Sequence, residues 1–237
     1  MYRRLLAFAL VCLIGPTANA QLIANSLAPR ASWSLDVAAQ YAQPIGGFYS
    51  NVDDAWGVGV AVRHHFRGVE FLGFRGDFAF LNYGNERKRV PVSPTINRVL
   101  VDMATSNNIA VVSGGPELML TRGPIRPYVF GFLGYSYFYT ESSAGDDEGS
   151  AFAQSTNFSD GGMAFGWGSG VSLPLTIRSA RVAIDAGARR TTNGSRSYLR
   201  RGDIQDRPDG SLQFSPRTTD ADFWQFHVGA SISLRRR

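Results

Sequence analysis

The sequence predicts an all-β protein: an eight-stranded antiparallel up-and-down transmembrane β-barrel with short periplasmic turns and long extracellular loops. Three observations predict it. Apolar residues recur at every second position over eight segments, the period of a strand with two unlike faces. The second face carries glycine, alanine, serine and isolated charges of both signs. That suits the crowded interior of a narrow barrel better than a water-facing sheet. The connections also alternate long and short along the chain, as they must when every tight turn lies at one end of a barrel.

Residues 1–20 read as a cleaved signal peptide. Arg3 and Arg4 precede the apolar stretch Leu5 to Ile14, which is too short to span a bilayer as a helix. Thr17-Ala18-Asn19-Ala20 then supplies the small residues for cleavage before Gln21. Residues 21–237 are expected to form the outer-membrane β-barrel domain, which places the chain in the outer membrane of a Gram-negative-type bacterium. The only cysteine, Cys12, falls inside the signal, and Val11 before it lacks the small side chain of a lipidation site. The mature chain is therefore expected to have no disulfide and no thiolate metal site. Removing Arg3 and Arg4 from 24 basic residues leaves 22 against 19 acidic, a balance of +3. That is too mild to argue for nucleic acid.

The segments follow in order. Trp33, Leu35, Val37, Ala39 and Tyr41 oppose Ser34, Asp36, Ala38 and Gln40. Trp56, Val58, Val60 and Val62 oppose Gly57, Gly59, Ala61 and Arg63. Leu72, Phe74, Phe78 and Phe80 oppose Gly73, Arg75, Asp77 and Ala79. Ile109 to Thr121 carries Gly114-Gly115 and Pro116, which predict a bulge or a bend. Tyr128 to Tyr139 is apolar on both faces, with Gly131 and Gly134 interrupting it. Met163, Phe165, Trp167, Ser169, Val171 and Leu173 oppose Ala164, Gly166, Gly168, Gly170 and Ser172. Ala180, Val182, Ile184, Ala186 and Ala188 oppose Arg181, Ala183, Asp185, Gly187 and Arg189. Trp224, Phe226, Val228, Ala230, Ile232 and Leu234 oppose Gln225, His227, Gly229, Ser231 and Ser233.

The long connections are expected at Ala42–Asp54, Gly84–Asn107, Thr140–Asp160 and Arg190–Asp220, and the short ones at Arg67–Val69, Thr121–Ile125 and Pro174–Ser179. Within the second long connection, Ser93-Pro94 resembles a cap followed by a first-turn proline. Ile96, Val99, Leu100 and Met103 then fall on one helical face. The spacing predicts a short helix over Pro94–Ala104, against a competing extended reading of Val99-Leu100-Val101.

Gly123-Pro124-Ile125-Arg126-Pro127-Tyr128-Val129, running into Gly131 and Gly134-Tyr135-Ser136-Tyr137, resembles the turn and fifth strand of the small outer-membrane β-barrel family that includes the OmpA/OmpX-type barrels. Val182-Ala183-Ile184-Asp185-Ala186-Gly187-Ala188-Arg189 is similar to their seventh strand. The resemblance covers the mature chain at the level of pattern. It implies an eight-stranded, ligand-poor barrel whose functions vary with its loops, inserted by the barrel-assembly machinery. Two departures stand out. The chain ends Leu234-Arg235-Arg236-Arg237 where relatives carry a terminal aromatic, and no periplasmic domain follows the barrel.

The phase turns Asp36, Arg63, Arg75, Asp77, Glu117, Arg181, Asp185, Arg189 and His227 toward the lumen. Eight strands enclose room only for side chains, so these charges are expected to form a salt-bridged plug. No catalytic residue is assigned. His227 is a single lumenal histidine without a nucleophile in register, and His64 and His65 fall on the periplasmic side. Gly166-x-Gly168-x-Gly170 lacks the spacing and the helix of a phosphate loop. Asp146-Asp147-Glu148 and the set Asp203, Asp206 and Asp209-Gly210 miss the pattern of a calcium loop. No metal and no cofactor is therefore expected. Arg196, Arg200, Arg201, Arg207 and Arg217 cluster in the last loop and suit lipopolysaccharide phosphates. The expected role is structural or surface-interacting, through the extracellular loops, with outer-membrane lipid and lipopolysaccharide as surroundings, no nucleic acid, and an unidentified external ligand. The alternatives are a narrow porin-like channel for small solutes and a lipid A-modifying enzyme.

Overall fold

The computed structural model describes residues 32–66, 69, 71–93, 96–121, 123–145, 151–177, 180–206 and 212–234. The expected signal peptide (residues 1–20), Pro94, Asp146-Asp147-Glu148, Arg207, Asp209-Gly210 and the terminal arginines lie outside them.

Eight long strands make the barrel: β1 Ser32–Pro44, β2 Ala55–His65, β3 Leu72–Ser93, β4 Ile96–Met119, β5 Arg126–Gly145, β6 Ala151–Ile177, β7 Ala180–Thr192 and β12 Phe223–Leu234. Each pairs antiparallel with its neighbour in sequence, and β1 closes on β12. Four short strands stand between β7 and β12: β8 Ser195–Tyr198, β9 Ile204–Asp206, β10 Leu212–Phe214 and β11 Arg217–Asp220. They form two small hairpin sheets, β8 with β11 and β9 with β10.

Alternation sets the register, because a one-residue slip would turn every apolar side chain inward. Val37 lies between Val60 and Ala230, and all three face outward. The outer surface is a continuous apolar belt. Trp56 is 67% exposed, and Val58, Phe74, Phe78, Val112, Leu133, Phe165, Trp167 and Val228 stand out beside it. Such a belt exceeds any patch that water tolerates, and a closed sheet leaves no strand edge for lipid to meet. The fold is that of a transmembrane barrel.

Where loops were expected, the chain is largely sheet. β3 and β4 stay paired through Ser93↔Ile96, and β5 and β6 through Gly145↔Ala151. β6 runs for 27 residues, against the ~9–11 that cross a bilayer. A four-stranded wall therefore rises above one side of the rim. The helix expected over Pro94–Ala104 does not form: from Ile96 onward the segment is strand, with Val90↔Val101 and Pro91↔Leu100 in register. Pairing with β3 extends the hydrogen-bonded ladder along a segment that carries the β-branched residues Ile96, Val99 and Val101, and this outweighs one apolar helical face. Near Pro116, where a bulge or a bend was expected, there is no register shift, but the ladder to β5 is interrupted at Gly115 and Pro116. β4 keeps one register with β3 there, and the bulges sit higher, at Asn82/Gly84 and Thr140/Glu141. The rising edge of β3 carries Glu86-Arg87-Lys88-Arg89 and Pro91, residues that discourage further strand pairing.

Candidate functional site: the closed lumen and the apical face

Arg63 is the hub of the lower lumen. Its Nε lies 2.7 Å from Asp36 Oδ2 and 3.6 Å from Glu117 Oε2, while Nη2 reaches Asp185 Oδ1 at 2.8 Å. Arg75 pairs with Asp77 through Nε and Nη2, both at 2.8 Å, and turns Nη1 toward Glu117 at 3.6 Å. Tyr128 donates its hydroxyl to Asp185 at 2.7 Å, and His227 Nε2 stands 2.9 Å from the same oxygen. Seven of the eight barrel strands, all but β6, thus converge on one buried knot. Of the residues turned inward by phase, Arg189 stands apart from this knot. It donates to Gln225 at 2.7 Å, and Gln225 donates to Gln40 at 2.6 Å. Arg181 does not join either group. It lies one residue into β7, at the mouth beside the β6–β7 connection, opposite Thr176, and it is exposed.

A ladder of rings stands beside the charges. Tyr128, Phe130 and Phe132 project inward from β5 and are buried together. Each faces a glycine of β6 in register, Gly170, Gly168 and Gly166. Arg63 and Arg75 lie over the Tyr128 ring at 4.7 and 5.8 Å, Arg75 over Phe130 at 4.7 Å, and Arg189 over Phe132 at 5.2 Å. Aromatic faces attract guanidinium groups in dry surroundings. By sequence alone this strand is apolar on both faces, and Gly166, Gly168 and Gly170 only fail as a phosphate loop. The matched spacing of the two triplets was the signal that links them.

A second closure lies above. Phe48, from the β1–β2 connection, sits at 4.9 Å from Tyr198 of β8, 6.0 Å from Phe138 and 6.1 Å from Tyr83, in edge contacts. Val52, Leu81, Ile109, Val111 and Phe223 complete this buried apolar cluster. Tyr83 donates its hydroxyl to the Leu199 carbonyl at 3.0 Å, fixing the β8 hairpin over the opening. The space left between the charged residues, lined by Asp36, Gln40, Arg63, Asp77, Asp185 and His227 among others, is about 10 Å³. That is room for about one water molecule.

The apical cations are partly committed. Arg196 donates to the Ser195 and Met163 carbonyls at 2.7 and 3.0 Å and so serves the hairpin. Arg200 and Arg217 share Asp203, at 3.3 and 4.0 Å. Asp203, a candidate for calcium by sequence, is thus held by cations. Glu86 accepts from the Gly202 N–H at 3.1 Å and pairs with Lys88 at 3.0 Å. Burial would raise its carboxyl, but Lys88, the Gly202 amide and Arg201 outweigh it and hold Glu86 below the usual carboxylate range. Gly202 has φ +82°, a conformation glycine adopts without strain. Among the described residues, no group of acidic, histidine or cysteine side chains has the arrangement to hold a metal.

No protein-family model and no curated protein sequence matches the chain. Solved structures do. Neisserial surface protein A is 16% identical, with 86% of this chain and 99% of that one covered and a TM-score of 0.49. The attachment invasion locus protein Ail of Yersinia pestis, in complex with the heparin analogue sucrose octasulfate, is 15% identical over 86% and 97%, with a TM-score of 0.42. Escherichia coli outer membrane protein W is 16% identical over 86% and 98%, with a TM-score of 0.35. These neighbours are small eight-stranded outer-membrane β-barrels. The barrel reading itself stands on the strand pairing and the apolar surface.

Proposed function

We propose that the protein is an outer-membrane barrel with a plugged lumen that works through its extracellular face. One observation carries this reading: the lumen is closed twice, by the Arg63–Asp36–Asp185–Glu117 knot and by the Phe48–Tyr198–Phe138 cluster above it. A conduit needs a continuous wet path, and eight strands have no room to spare for one. The hairpins on the long side build a platform fixed by Tyr83–Leu199 and Glu86–Gly202. Arg200, Arg201 and Arg217 are carried on it, and guanidinium forks suit phosphate and sulfate oxygens. Anionic groups, of surrounding lipopolysaccharide or of an external surface, are the partners this chemistry fits.

Purified protein refolded into planar bilayers tests the reading. The expectation is a flat current trace at moderate voltage. Regular single-channel steps would overturn the plug and favour the narrow pore. A lipid A-modifying enzyme would instead change acyl chains on co-expression. His227 argues against that because it is buried inside the closed lumen, beside Asp185 and Tyr128, away from any lipid acyl chain.

A further inference from the structure

The wall formed by β3, β4 and β5 has two faces above the rim, and they are treated differently. The inner face is covered: Tyr83 and Glu86 bind the β8–β9 segment there. The outer face carries a side-chain amide cluster that no sequence motif announced. Asn82 donates to Asn85 Oδ1 at 3.2 Å, Ser106 Oγ at 2.9 Å and Asn108 Oδ1 at 2.9 Å, and Asn85 donates back to Asn82 at 2.9 Å. Ser106 donates to Asn108 at 3.0 Å. The register places Asn82 opposite Asn108, Asn85 opposite Ser106, and Ser106 opposite Glu141. These residues therefore share one surface.

A cavity of about 310 Å³ opens above them, lined on this face by Asn85, Arg87, Ala104, Ser106, Glu141 and Ser143, and also by Glu86 and Thr105. Tyr139, opposite Asn108, lies below it and stacks on Tyr137 at 5.4 Å. The corner offers carboxamides, hydroxyls, one guanidinium and two carboxylates, with the Tyr139 ring beside Asn108 below. Amides, carboxylates and guanidinium groups offer paired donors and acceptors to vicinal hydroxyls. An aromatic ring offers an apolar plate to the C–H face of a sugar ring.

Position then selects the source of the sugar. The cavity opens sideways, on the face that continues downward as the apolar belt of Val112, Leu133 and Tyr135. An occupant would stand beside the barrel at headgroup height, with its acyl chains along that belt. We infer that this pocket, centred on Asn85, Arg87, Ser106 and Glu141, binds the saccharide headgroup of an outer-leaflet glycolipid. The inference rests on the outer-membrane reading proposed above and gives it a defined lipid contact, separate from the apical arginines.

The test uses the full mature chain in nanodiscs of phosphatidylcholine, with and without purified lipopolysaccharide. Side-chain amide signals of Asn82, Asn85 and Asn108 are followed by NMR as the lipopolysaccharide fraction rises. Saturable shifts are expected in the wild type, with apparent affinity falling about tenfold or more in Asn85→Ala and Arg87→Ala, and unchanged in Arg181→Ala at the opposite mouth of the barrel. Equal shifts in all four proteins, or none in an inserted barrel, would overturn the pocket. Equivalent shifts on adding the water-soluble core oligosaccharide to phosphatidylcholine discs would overturn the glycolipid as its source. A wild-type chain that failed to enter either disc would overturn the membrane reading as well, and is recognised by its unfolded spectrum.

Discussion

Phe130 of β5 lies in register with Gly168 of β6, and its ring occupies the space that a side chain at Gly168 would need. A Cβ built on Gly168 falls 2.5 Å from Phe130 Cζ, and one on Gly170 falls 2.4 Å from the Tyr128 hydroxyl. The glycines are a trough cut to receive the rings. The rings in turn carry Arg63, Arg75 and Arg189 on their faces. A feature of β6 therefore sets where the charges of β2, β3 and β7 can sit.

Gly168→Ala is expected to destabilise the barrel by ~1–3 kcal/mol, the usual range for overpacking a filled interior. Equilibrium refolding from urea into micelles measures it. Phe130→Leu in the same chain should recover part of the loss, because the two positions share one volume. Strict additivity of the two changes would show that the ring does not fill the Gly168 trough.

Arg63→Met removes the cation that faces Asp36, Asp185 and Glu117 together. Leaving buried carboxylates without their partner costs ~3–5 kcal/mol. Arg181→Met, at the exposed mouth, should cost far less. Equal losses in the two variants would contradict the geometry of the knot.

On the outer face, Val60→Arg or Phe74→Arg should cost ~2–4 kcal/mol near the middle of the lipid layer. Gly59→Ala, inward on the same strand, is not free. Its Cβ would lie 2.1 Å from the Gln40 amide, which must swing away from Gln225. A flexible tip can move, so the loss stays below that of Gly57→Ala, whose Cβ would meet the Phe80 carbonyl oxygen of the neighbouring strand at 1.8 Å. Urea midpoints ranked in the opposite order would reverse the assignment of these two positions.

Most of the barrel was legible because a period of two is written in single residues. Trp56, Val58, Val60 and Val62 declare a face without help from any other strand. The pairing of Phe130 with Gly168 was not legible, because it needs the register between two segments that are each ambiguous alone. The upper closure was hidden for a related reason. Phe48 and Tyr198 lie in connections with no periodicity, and they meet only after the chain folds over the rim. The false helix over Pro94–Ala104 came from reading Ile96, Val99, Leu100 and Met103 alone, when Val90 and Pro91 of the preceding strand had already fixed them as partners.

The Glu86 contact should respond to acid in one direction only. A carboxyl held below its ordinary value of about 4.5 contributes its attraction throughout neutral pH. The contribution fades as pH falls through the lowered folded value, not above the ordinary one. The Gly202 amide resonance should therefore stay constant down to mildly acid pH and then move. In Glu86→Gln it should show no step at all; a step that persisted in that variant would assign the titration to another group.

The two closures make a prediction that either one alone would not. Phe48→Ala with Tyr198→Ala empties the upper cluster, and each large-to-small change of this kind costs ~3–5 kcal/mol where the site cannot collapse. Both residues come from connections above the rim, so the loss should appear first as faster proteolysis within the β8–β11 segment while the barrel stays folded. The current trace should nevertheless remain flat, because Arg63, Asp36, Asp185 and Glu117 still meet across the lumen beneath. Adding Arg63→Ala to that pair removes the lower closure too, and brief conducting openings are then expected. If the upper pair alone produced steady conductance steps, the charged knot would be a wet path and not a barrier.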